Sequence, residues 1–535
     1  MSKLSKEKRE IVSFVTVVLL FGVMFVWLFT MQVKDNPRTM AFATGGNPTP
    51  TPMLRFGADV GIATVNPTPG SITDRMSRLA NDNLPIVRYF YVAGADSIND
   101  FLSHAYSNGR KVSVVFEAKT YYMASKTAAQ YASDVESALT TAQAYITGNY
   151  AGTIIAVELG NEEDECNDTR PLFNNNATDA RPSNFWVAGV NYSTYYIAAY
   201  DAIKDNWPNL TIISPNISCQ DTLSYPSIDE CPNYGQRAQT FLHGFIAGAT
   251  ESAQGISKLP NIISIHGYKE HRQPENYEDA TDGTQYWIKR ITKLRDICSA
   301  HSYYPEFANT EYGFSHTSNK SWAPTSSDEK IQAIYYMRRD LMDATMKSSA
   351  GSKNWKYSLY WQHAFNDYGS DPTAYTSWFT DGVAGTSRTI RKVGQELHQN
   401  VSGKPHLFGS YQIYIESNSV SIDGNKHKLT CGWIDEAGQK WGAIWIYDIN
   451  PEAEWDDFTN YYTQASVDYV INSESAPSSA DLYKFSFSTP YSYSNTTFSD
   501  LSTTVNRQSN GTGSYKYTLS NIVDENPTFL KFSSN

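Results

Sequence analysis

Short apolar runs typical of buried β-strands alternate with amphipathic helical segments along most of this chain, which limits the folds open to it. Runs such as 112–116 and 262–265 are almost continuously apolar, as expected for strands covered on both faces. Eight strand candidates start near Leu54, Leu84, Lys111, Thr153, Leu210, Asn261, Tyr304 and Lys356.

Helical periodicity fills the intervals between these runs. The clearer helical segments are 127–145, 193–207, 285–299 and 328–346. Ser193 and Thr194 are the predicted N-cap of the second. Eight strands alternating with helices over about 350 residues predict an α/β fold, a (β/α)8 TIM barrel spanning 53–405. An open doubly wound sheet would give a similar alternation, but no glycine-rich phosphate loop follows the first strand.

The pattern changes after residue 405. Strand-like runs at 411–415 and 440–447 are separated by turn-forming sequences such as Asp423-Gly424-Asn425, and long helical periods are absent. We therefore predict a C-terminal antiparallel β-sandwich over 406–535.

The N-terminus carries an uncharged run of 21 residues, 11–31, which is long enough for a transmembrane helix. Basic residues are in excess before it, so we expect residues 1–10 in the cytosol. The remainder would face the extracellular space or a lumen, as in a type II single-pass protein anchored in the lipid bilayer. The alternative is a cleaved signal peptide, with a cleavage-like sequence at 41–43, and a secreted product. Residues 32–52 are rich in Pro and Thr and predict an unfolded stalk.

Sequons, cysteines and net charge bear on export, on disulfide and metal sites, and on nucleic-acid binding. Nine Asn-x-Ser/Thr sequons are compatible with export and glycosylation. Cys219 and Cys231 are the preferred disulfide pair, whereas Cys298 and Cys431 are predicted to pack as small apolar residues. Without a CxxC pair or an HExxH helix, the sequence predicts no metal site. The net charge of −12 argues against nucleic-acid binding.

Two carboxylates follow strand candidates. One run, 153–159, is followed by Gly160-Asn161-Glu162, and Glu311 follows the run that begins near Tyr304. A barrel places its chemistry at the carboxyl ends of its strands. Two carboxyl groups about 5–5.5 Å apart can cleave a glycosidic bond with retention, one protonating the leaving oxygen and the other attacking the anomeric carbon. This chemistry needs no cofactor.

The residues at these two strand ends resemble the large clan (clan A) of retaining (β/α)8 glycoside hydrolases. The resemblance rests on Gly160-Asn161-Glu162 at the fourth strand and Glu311 at the seventh. It implies that Glu162 is the acid/base, that Glu311 is the nucleophile, and that the substrate is an oligo- or polysaccharide. The sequence of residues 157–162 is most similar to that of the heparanase and β-glucuronidase group, which also joins its barrel to a β-sandwich. That group usually has Pro where this chain has Glu163.

The same resemblance implies roles for five further residues. Asn161 would bond the sugar 2-hydroxyl, Tyr268 would hold the nucleophile ionised, and His266 would line the site. Trp361 would form an aromatic platform. Arg88 would steady the nucleophile, and a charged residue among apolar neighbours needs a partner in any case.

Several assignments stay open at this point. Glu163 competes with Glu162 for the acid role, although adjacent residues point in different directions and the family register favours Glu162. Glu117 and Glu270 are ambiguous, and the basic residues beside Glu270 could bind a uronate or form a solvated loop. Besides a β-glucuronidase-like enzyme, the sequence allows a β-glucanase acting on wall polysaccharide. A catalytically inactive, carbohydrate-binding or structural surface glycoprotein is the non-enzymatic alternative.

Overall fold

The computed structural model of this protein describes the chain from residue 55 to residue 534. The segments left out within those limits are 60–75, 78, 83, 92–97, 168–169, 178–180, 219–233, 252–257, 267–273, 275, 280–282, 314–325, 346–354, 362–388, 398–402, 406–413, 417–425, 436, 449–464, 472–473 and 490. The predicted membrane segment 11–31, the stalk 32–52 and the Cys219–Cys231 pair therefore lie outside the described residues. Among the helices that are described, none has the length and hydropathy needed to cross a bilayer.

Eight parallel strands close into a barrel, with each strand hydrogen-bonded to the next in the chain and the last to the first. They are β1 Arg55–Asp59, β2 Ile86–Phe90, β3 Lys111–Phe116, β4 Ile154–Leu159, β5 Thr211–Ser218, β6 Ile262–His266, β7 Glu306–Tyr312 and β8 Trp355–Trp361. This confirms the predicted barrel, and every strand starts within two residues of its predicted position.

Helices lie between successive barrel strands, and a further helix follows β8. They are α1 Ile98–Ser107, α2 Ala118–Met123, α3 Ala128–Thr141, α4 Gln143–Ile146, α5 Pro182–Asn206, α6 Tyr234–Glu251, α7 Trp287–Ala300, α8 Ser326–Thr345 and α9 Thr389–Glu396. Thr127 caps α3 through a capping box with Gln130.

The predicted start of α5 at Ser193 and Thr194 is wrong. The helix begins at Pro182, which occupies a first-turn position that needs no backbone donor. Ser193 instead lies in the helix interior, where its hydroxyl donates to the Val190 carbonyl at 2.6 Å.

Inward-facing residues change from apolar to charged along the barrel interior. One cluster of buried apolar side chains, contributed by five of the eight barrel strands, consists of Ile86, Ala156, Ile213, Ile262 and Ala308. Arg88 and Glu158 come two residues later in their strands, so they point the same way as Ile86 and Ala156. Both are fully buried. The barrel therefore places an ionic layer between an apolar floor and the carboxyl ends of its strands.

Two antiparallel sheets follow the barrel. Their strands are β9 Gly403–Pro405, β10 Tyr414–Glu416, β11 Lys426–Asp435, β12 Lys440–Asp448, β13 Ala465–Ile471, β14 Ser479–Phe487, β15 Thr496–Asn506, β16 Gln508–Ser509, β17 Tyr515–Val523 and β18 Thr528–Phe532. The larger sheet has the order β9-β11-β12-β18-β14-β15, with β10 also on β11, and the smaller has the order β13-β17-β16. Side chains of both sheets share one buried apolar cluster, the packing expected of a β-sandwich.

The sheets pack on the last barrel helices. Tyr493 donates to the Gln395 side chain at 2.5 Å, and Lys330 of α8 lies 3.9 Å from Glu525. Trp433 and Trp445 belong to the same apolar cluster as the residues that cover the barrel strands. Cys298 and Cys431 are buried in α7 and β11 as predicted, and neither forms a disulfide.

Helices α5 and α6 approach closely, and glycines permit the contact. A Cβ added to Gly244 would lie 2.0 Å from the Trp186 carbonyl oxygen, whereas one added to Gly248 would meet the Ser193 hydroxyl at 2.3 Å. Backbone cannot yield as a rotatable hydroxyl can.

We expect Gly244→Ala to destabilise the protein by about 1–3 kcal/mol, because the two helices must separate to admit the methyl group. Gly248→Ala is the matched variant and should cost less, since Ser193 can rotate away. Thermal melting of both variants checks this. Equal melting temperatures for the two would contradict the close backbone contact.

Candidate active site

Arg88 of β2 lies at the centre of the candidate site. Its guanidinium donates to Glu158 at 2.9 Å, to Glu311 at 2.7 Å and to the Asn161 side-chain oxygen at 2.8 Å. Arg88 has no exposed surface. A buried cation needs paired anions and satisfied donors, and these three acceptors supply both. The structure thus brings Arg88 and Glu311 together.

Glu158 is a member of this network that the sequence interpretation missed. It is fully buried in β4 and also accepts hydrogen bonds from Ser113 at 2.7 Å and Asn216 at 2.8 Å. The available signal was an acidic residue inside an apolar strand, the same argument that identified Arg88. Asn216 is one of the nine sequon residues, but its buried amide is committed to the barrel interior and is closed to glycosylation in the folded protein.

Glu162 and His266 meet at the mouth of the barrel. The Nδ1 atom of His266 lies 3.0 Å from Glu162 and 3.4 Å from Glu311, and Nε2 lies 3.2 Å from the Thr310 hydroxyl. Burial lowers the pKa of His266 to about 4, although Glu311 acts in the opposite direction. The imidazole is therefore neutral at pH 7 and joins the two carboxyl groups without adding a charge.

Glu162 and Glu311 form a close carboxylate pair. A carboxylate oxygen of each and a ring nitrogen of His266 all lie within 4.8 Å of one another. Both residues are 7% exposed, so each side chain keeps a small opening towards the cleft. They belong to the loop after β4 and to β7, the fourth and seventh barrel strands, as predicted.

The same three side chains offer atoms that metal ions accept. However, the Glu311 oxygen nearest His266 already receives the Arg88 guanidinium at 2.7 Å. A second cation beside that oxygen would be repelled by Arg88 in a buried setting where charges interact strongly. We therefore assign the cluster as a carboxylate pair bridged by a neutral imidazole.

The turn after β4 sets the direction of Glu162. Gly160 has φ 113° and Glu162 has φ 53°, a left-handed conformation that costs a non-glycine residue about 1–3 kcal/mol. A Cβ on Gly160 would lie 2.6 Å from the Glu163 side chain. Glycine is therefore required at 160 for two reasons: its backbone angle and the carboxyl group folded against it.

Glu163 faces the backbone and not the cleft. Its carboxyl oxygen accepts the amides of Asn161 at 2.9 Å and Ala118 at 3.1 Å, and the residue is fully buried. Burial raises the pKa of Glu163 to about 8, with Lys119 opposing that rise. Glu163 is thus a neutral brace between the β4 turn and α2, which leaves Glu162 as the carboxyl group of this turn that reaches His266.

Asn161 is oriented from two sides. Its side-chain oxygen accepts from Arg88, and its amide nitrogen lies 3.4 Å from Glu117. Glu117 precedes α2, and burial raises its pKa, with Lys119 acting against that rise. The ambiguous Glu117 therefore lies at the site, in contact with Asn161.

Lys119 and Glu165 also reach this region and were missed by the sequence interpretation. Lys119 pairs with Glu165 at 2.7 Å and lies 3.9 Å from Glu117. Burial alone would lower the pKa of Lys119, but the surrounding carboxylates raise it above its usual value. No periodicity or motif marked either residue, because Lys119 in the short helix α2 and Glu165 in the loop after β4 are brought together only by the barrel fold.

Of the predicted site residues, Trp361 is placed by its backbone alone, and Tyr268 is not placed. Trp361 is the last residue of β8 and its backbone lies opposite Asp59 of β1, at the same end of the barrel as Glu311. Tyr268 lies outside the described residues, as does Glu270 with its basic neighbours. Their predicted roles remain predictions.

The raised pKa of Glu163 gives a pH prediction. Its ordinary pKa is 4.5 and its folded value is about 8, so its stabilising contribution is complete below pH 4.5 and is lost as the pH rises through 8. Glu163→Gln removes that loss. The melting temperature of the variant, relative to the native protein, should rise steadily between pH 4.5 and 8. Glu396→Gln on α9 serves as the control, and a pH-independent difference for Glu163→Gln would contradict the assignment.

Comparisons with known proteins find structural likeness at low sequence identity. No family model matches the chain, and no curated protein matches it. An arabinofuranosidase crystal structure has a TM-score of 0.50 at 11% identity over 89% of this chain and 96% of that chain. A family 39 glycoside hydrolase from Bacteroides cellulosilyticus WH2 has a TM-score of 0.48 at 14% identity, covering 90% and 81%. A glucosidase from Croceicoccus marinus has a TM-score of 0.47 at 11% identity, covering 91% and 98%. The likeness to the arabinofuranosidase shows a common fold.

Proposed function

We propose that this protein is a retaining β-glycoside hydrolase that cleaves cell-surface or extracellular glycans by double displacement. The observation that carries the proposal is the Glu162–Glu311 pair at the ends of β4 and β7, with carboxylate oxygens within 4.8 Å. Retaining enzymes hold their carboxyl groups about 5–5.5 Å apart, whereas inverting enzymes need about 6.5–9.5 Å to admit a water molecule. The short separation favours the retaining reaction.

Glu311 is the proposed nucleophile. Arg88 binds one of its oxygens at 2.7 Å and keeps the carboxylate in a fixed position, while His266 lies 3.4 Å from the same oxygen. Attack on the anomeric carbon would form a glycosyl ester with Glu311 and break the glycosidic carbon–oxygen bond. A rigid, buried cation behind the carboxylate limits the reorganisation that the attack requires.

Glu162 is the proposed proton donor. Its proton would pass to the leaving oxygen as the glycosidic bond breaks, and the resulting carboxylate would then take a proton from the water that attacks the ester. The water oxygen displaces Glu311 and completes the cycle with the original anomeric configuration. His266 orients Glu162 at 3.0 Å, and its neutrality avoids a competing proton donor beside the leaving group.

Asn161 would bind the sugar beside the reacting carbon. Its amide is fixed by Arg88 and Glu117, and a hydrogen bond to the 2-hydroxyl gains strength in the transition state. Trp361 at the end of β8 and Tyr268 after β6 complete the proposed sugar-binding set.

The finer proposal concerns the substrate. The resemblance of 157–162 to the heparanase and β-glucuronidase group favours a glucuronide. The net charge of −12 favours a neutral glucan as the second candidate, since a negative protein repels polyanions. Release of sugar from aryl glucuronides and from β-glucan oligosaccharides, measured side by side, separates the two.

We also propose that residues 11–31 anchor the enzyme in a membrane with the barrel facing outward. The uncharged run and the basic residues before it support this. The full chain expressed in cells should stay with the membrane fraction after an alkaline wash and should retain its N-terminal peptide by mass spectrometry. A soluble product that starts after residue 43 would instead show a cleaved signal peptide.

The two carboxyl groups should respond differently to substitution. Glu311→Gln should abolish turnover of every glycoside, because no nucleophile remains. Glu162→Gln should lower kcat by about 10²–10⁴-fold for substrates with poor leaving groups, and far less for activated aryl glycosides that leave without a proton. Steady-state kinetics on both substrate types checks this.

The control is Glu136→Gln on α3, a carboxyl group that bonds Asn206 away from the site. Turnover that survives Glu311→Gln would overturn the catalytic assignment. A native protein that binds glycans but hydrolyses none of them would support the non-enzymatic alternative.

A further inference from the structure

An ion pair lies next to the turn that carries the proposed proton donor, Glu162. Lys119 of α2 and Glu165 of the loop after β4 are 2.7 Å apart, and their side chains are 13% and 35% exposed. Nothing in the proposed hydrolysis uses either residue. The inference below rests on the proposed function, because it concerns the proton that Glu162 would deliver.

Backbone hydrogen bonds hold Glu165 close to Glu162. The Glu165 amide donates to the Glu162 carbonyl at 3.0 Å, and the Leu172 amide donates to the Glu165 carbonyl at 3.0 Å. The Glu165 carboxyl group therefore lies near the Glu162 carboxyl group, whose charge acts on it. Glu162 is 7% exposed, and the Glu165 side chain is 35% exposed.

Two carboxyl groups in contact share a proton more readily than they carry two charges. Burial and then the charge of Glu162 raise the pKa of Glu165 to about 7, while Lys119 acts against that rise. Glu165 therefore keeps a proton up to near-neutral pH, and Lys119 limits how far that range extends.

The other charged groups around the pair act in known directions. Glu117 precedes α2 and Glu163 belongs to the turn after β4. The charges of both carboxyl groups raise the pKa of Lys119. His266 contacts the Glu162 carboxyl group, and both His266 and Arg88 contact Glu311. Among the described residues, Lys119 is the cation that contacts Glu165.

We propose that Glu165 and Lys119 are positioning residues that set the pH range over which a proton stays on the Glu162–Glu165 pair, and with it the pH range of hydrolysis. Glu165 extends the range towards high pH because its negative charge opposes loss of the shared proton. Lys119 shortens the range because its positive charge stabilises the fully ionised pair. The two residues therefore act in opposite directions on one measurable limit.

The experiment compares pH profiles of kcat/KM in the full chain. Glu165→Gln should move the alkaline limit of activity down by about one pH unit, and Lys119→Met should move it up. Lys119→Arg keeps the charge and should restore the native limit. Glu396→Gln, which breaks the Lys392–Glu396 pair at 2.6 Å on α9, is the matched control and should leave the profile unchanged.

A merely structural role would lower activity at all pH values without moving the limit. Limits that stay fixed, or that move the same way in Glu165→Gln and Lys119→Met, would overturn the proposal.

A second readout separates this proposal from the proposed function. Because the pKa of Glu165 is raised from 4.5 to about 7, its stabilising effect is complete below pH 4.5 and is lost as the pH rises through 7. The melting temperature of Glu165→Gln, relative to the native protein, should therefore rise between those values. If the native protein hydrolyses no glycoside, the proposed function fails while this shift still tests the pair. A melting-temperature difference that does not change with pH would contradict the proposed role of Glu165, even if hydrolysis is observed.

Discussion

A single buried cation organises the interior of this barrel. Arg88 joins Glu158 below it, Glu311 of β7 and Asn161 after β4, and it has no contact with solvent. Removing one partner from such a cluster costs about 3–5 kcal/mol, because the remaining charge is left buried and unpaired. The relative positions of β2, β4 and β7 therefore depend on one guanidinium. Any movement that separates Arg88 from a partner leaves a buried charge unpaired.

The network also places the two proposed catalytic carboxyl groups in unlike surroundings. Glu311 lies against Arg88, a permanent cation, whereas Glu162 lies against neutral His266 and a second carboxyl group, Glu165. Placing a pair of titratable groups in unlike environments is how one site obtains both a nucleophile and a proton donor. Glu163 does not share these surroundings, because its carboxyl group accepts the backbone amides of Asn161 and Ala118.

Much of the fold could be predicted from the sequence because strand burial is a local signal. Apolar runs located all eight barrel strands, and their order placed Glu162 and Glu311 on the fourth and seventh. The start of α5 was missed because Ser193 has good capping chemistry but lies inside a helix whose true start is set by Pro182.

The site was harder to predict than the fold. Arg88 was recognisable as a charge that needed a partner, yet Glu158 carried the same signal and was overlooked. Glu165 and Lys119 gave no signal at all, since their contact joins the loop after β4 to helix α2, which follows β3. Such contacts are set by the tertiary fold, and a single sequence does not encode them as a pattern.

The central claim is that Glu311 attacks the sugar and carries it as an ester. An activated 2-fluoro glycoside, which slows breakdown of that ester, followed by peptide mass spectrometry, tests it most directly. The account predicts stoichiometric labelling at Glu311, absent in Glu311→Gln. Labelling at Glu162 or at another carboxyl group, or product formed with inverted configuration and no label, would contradict it.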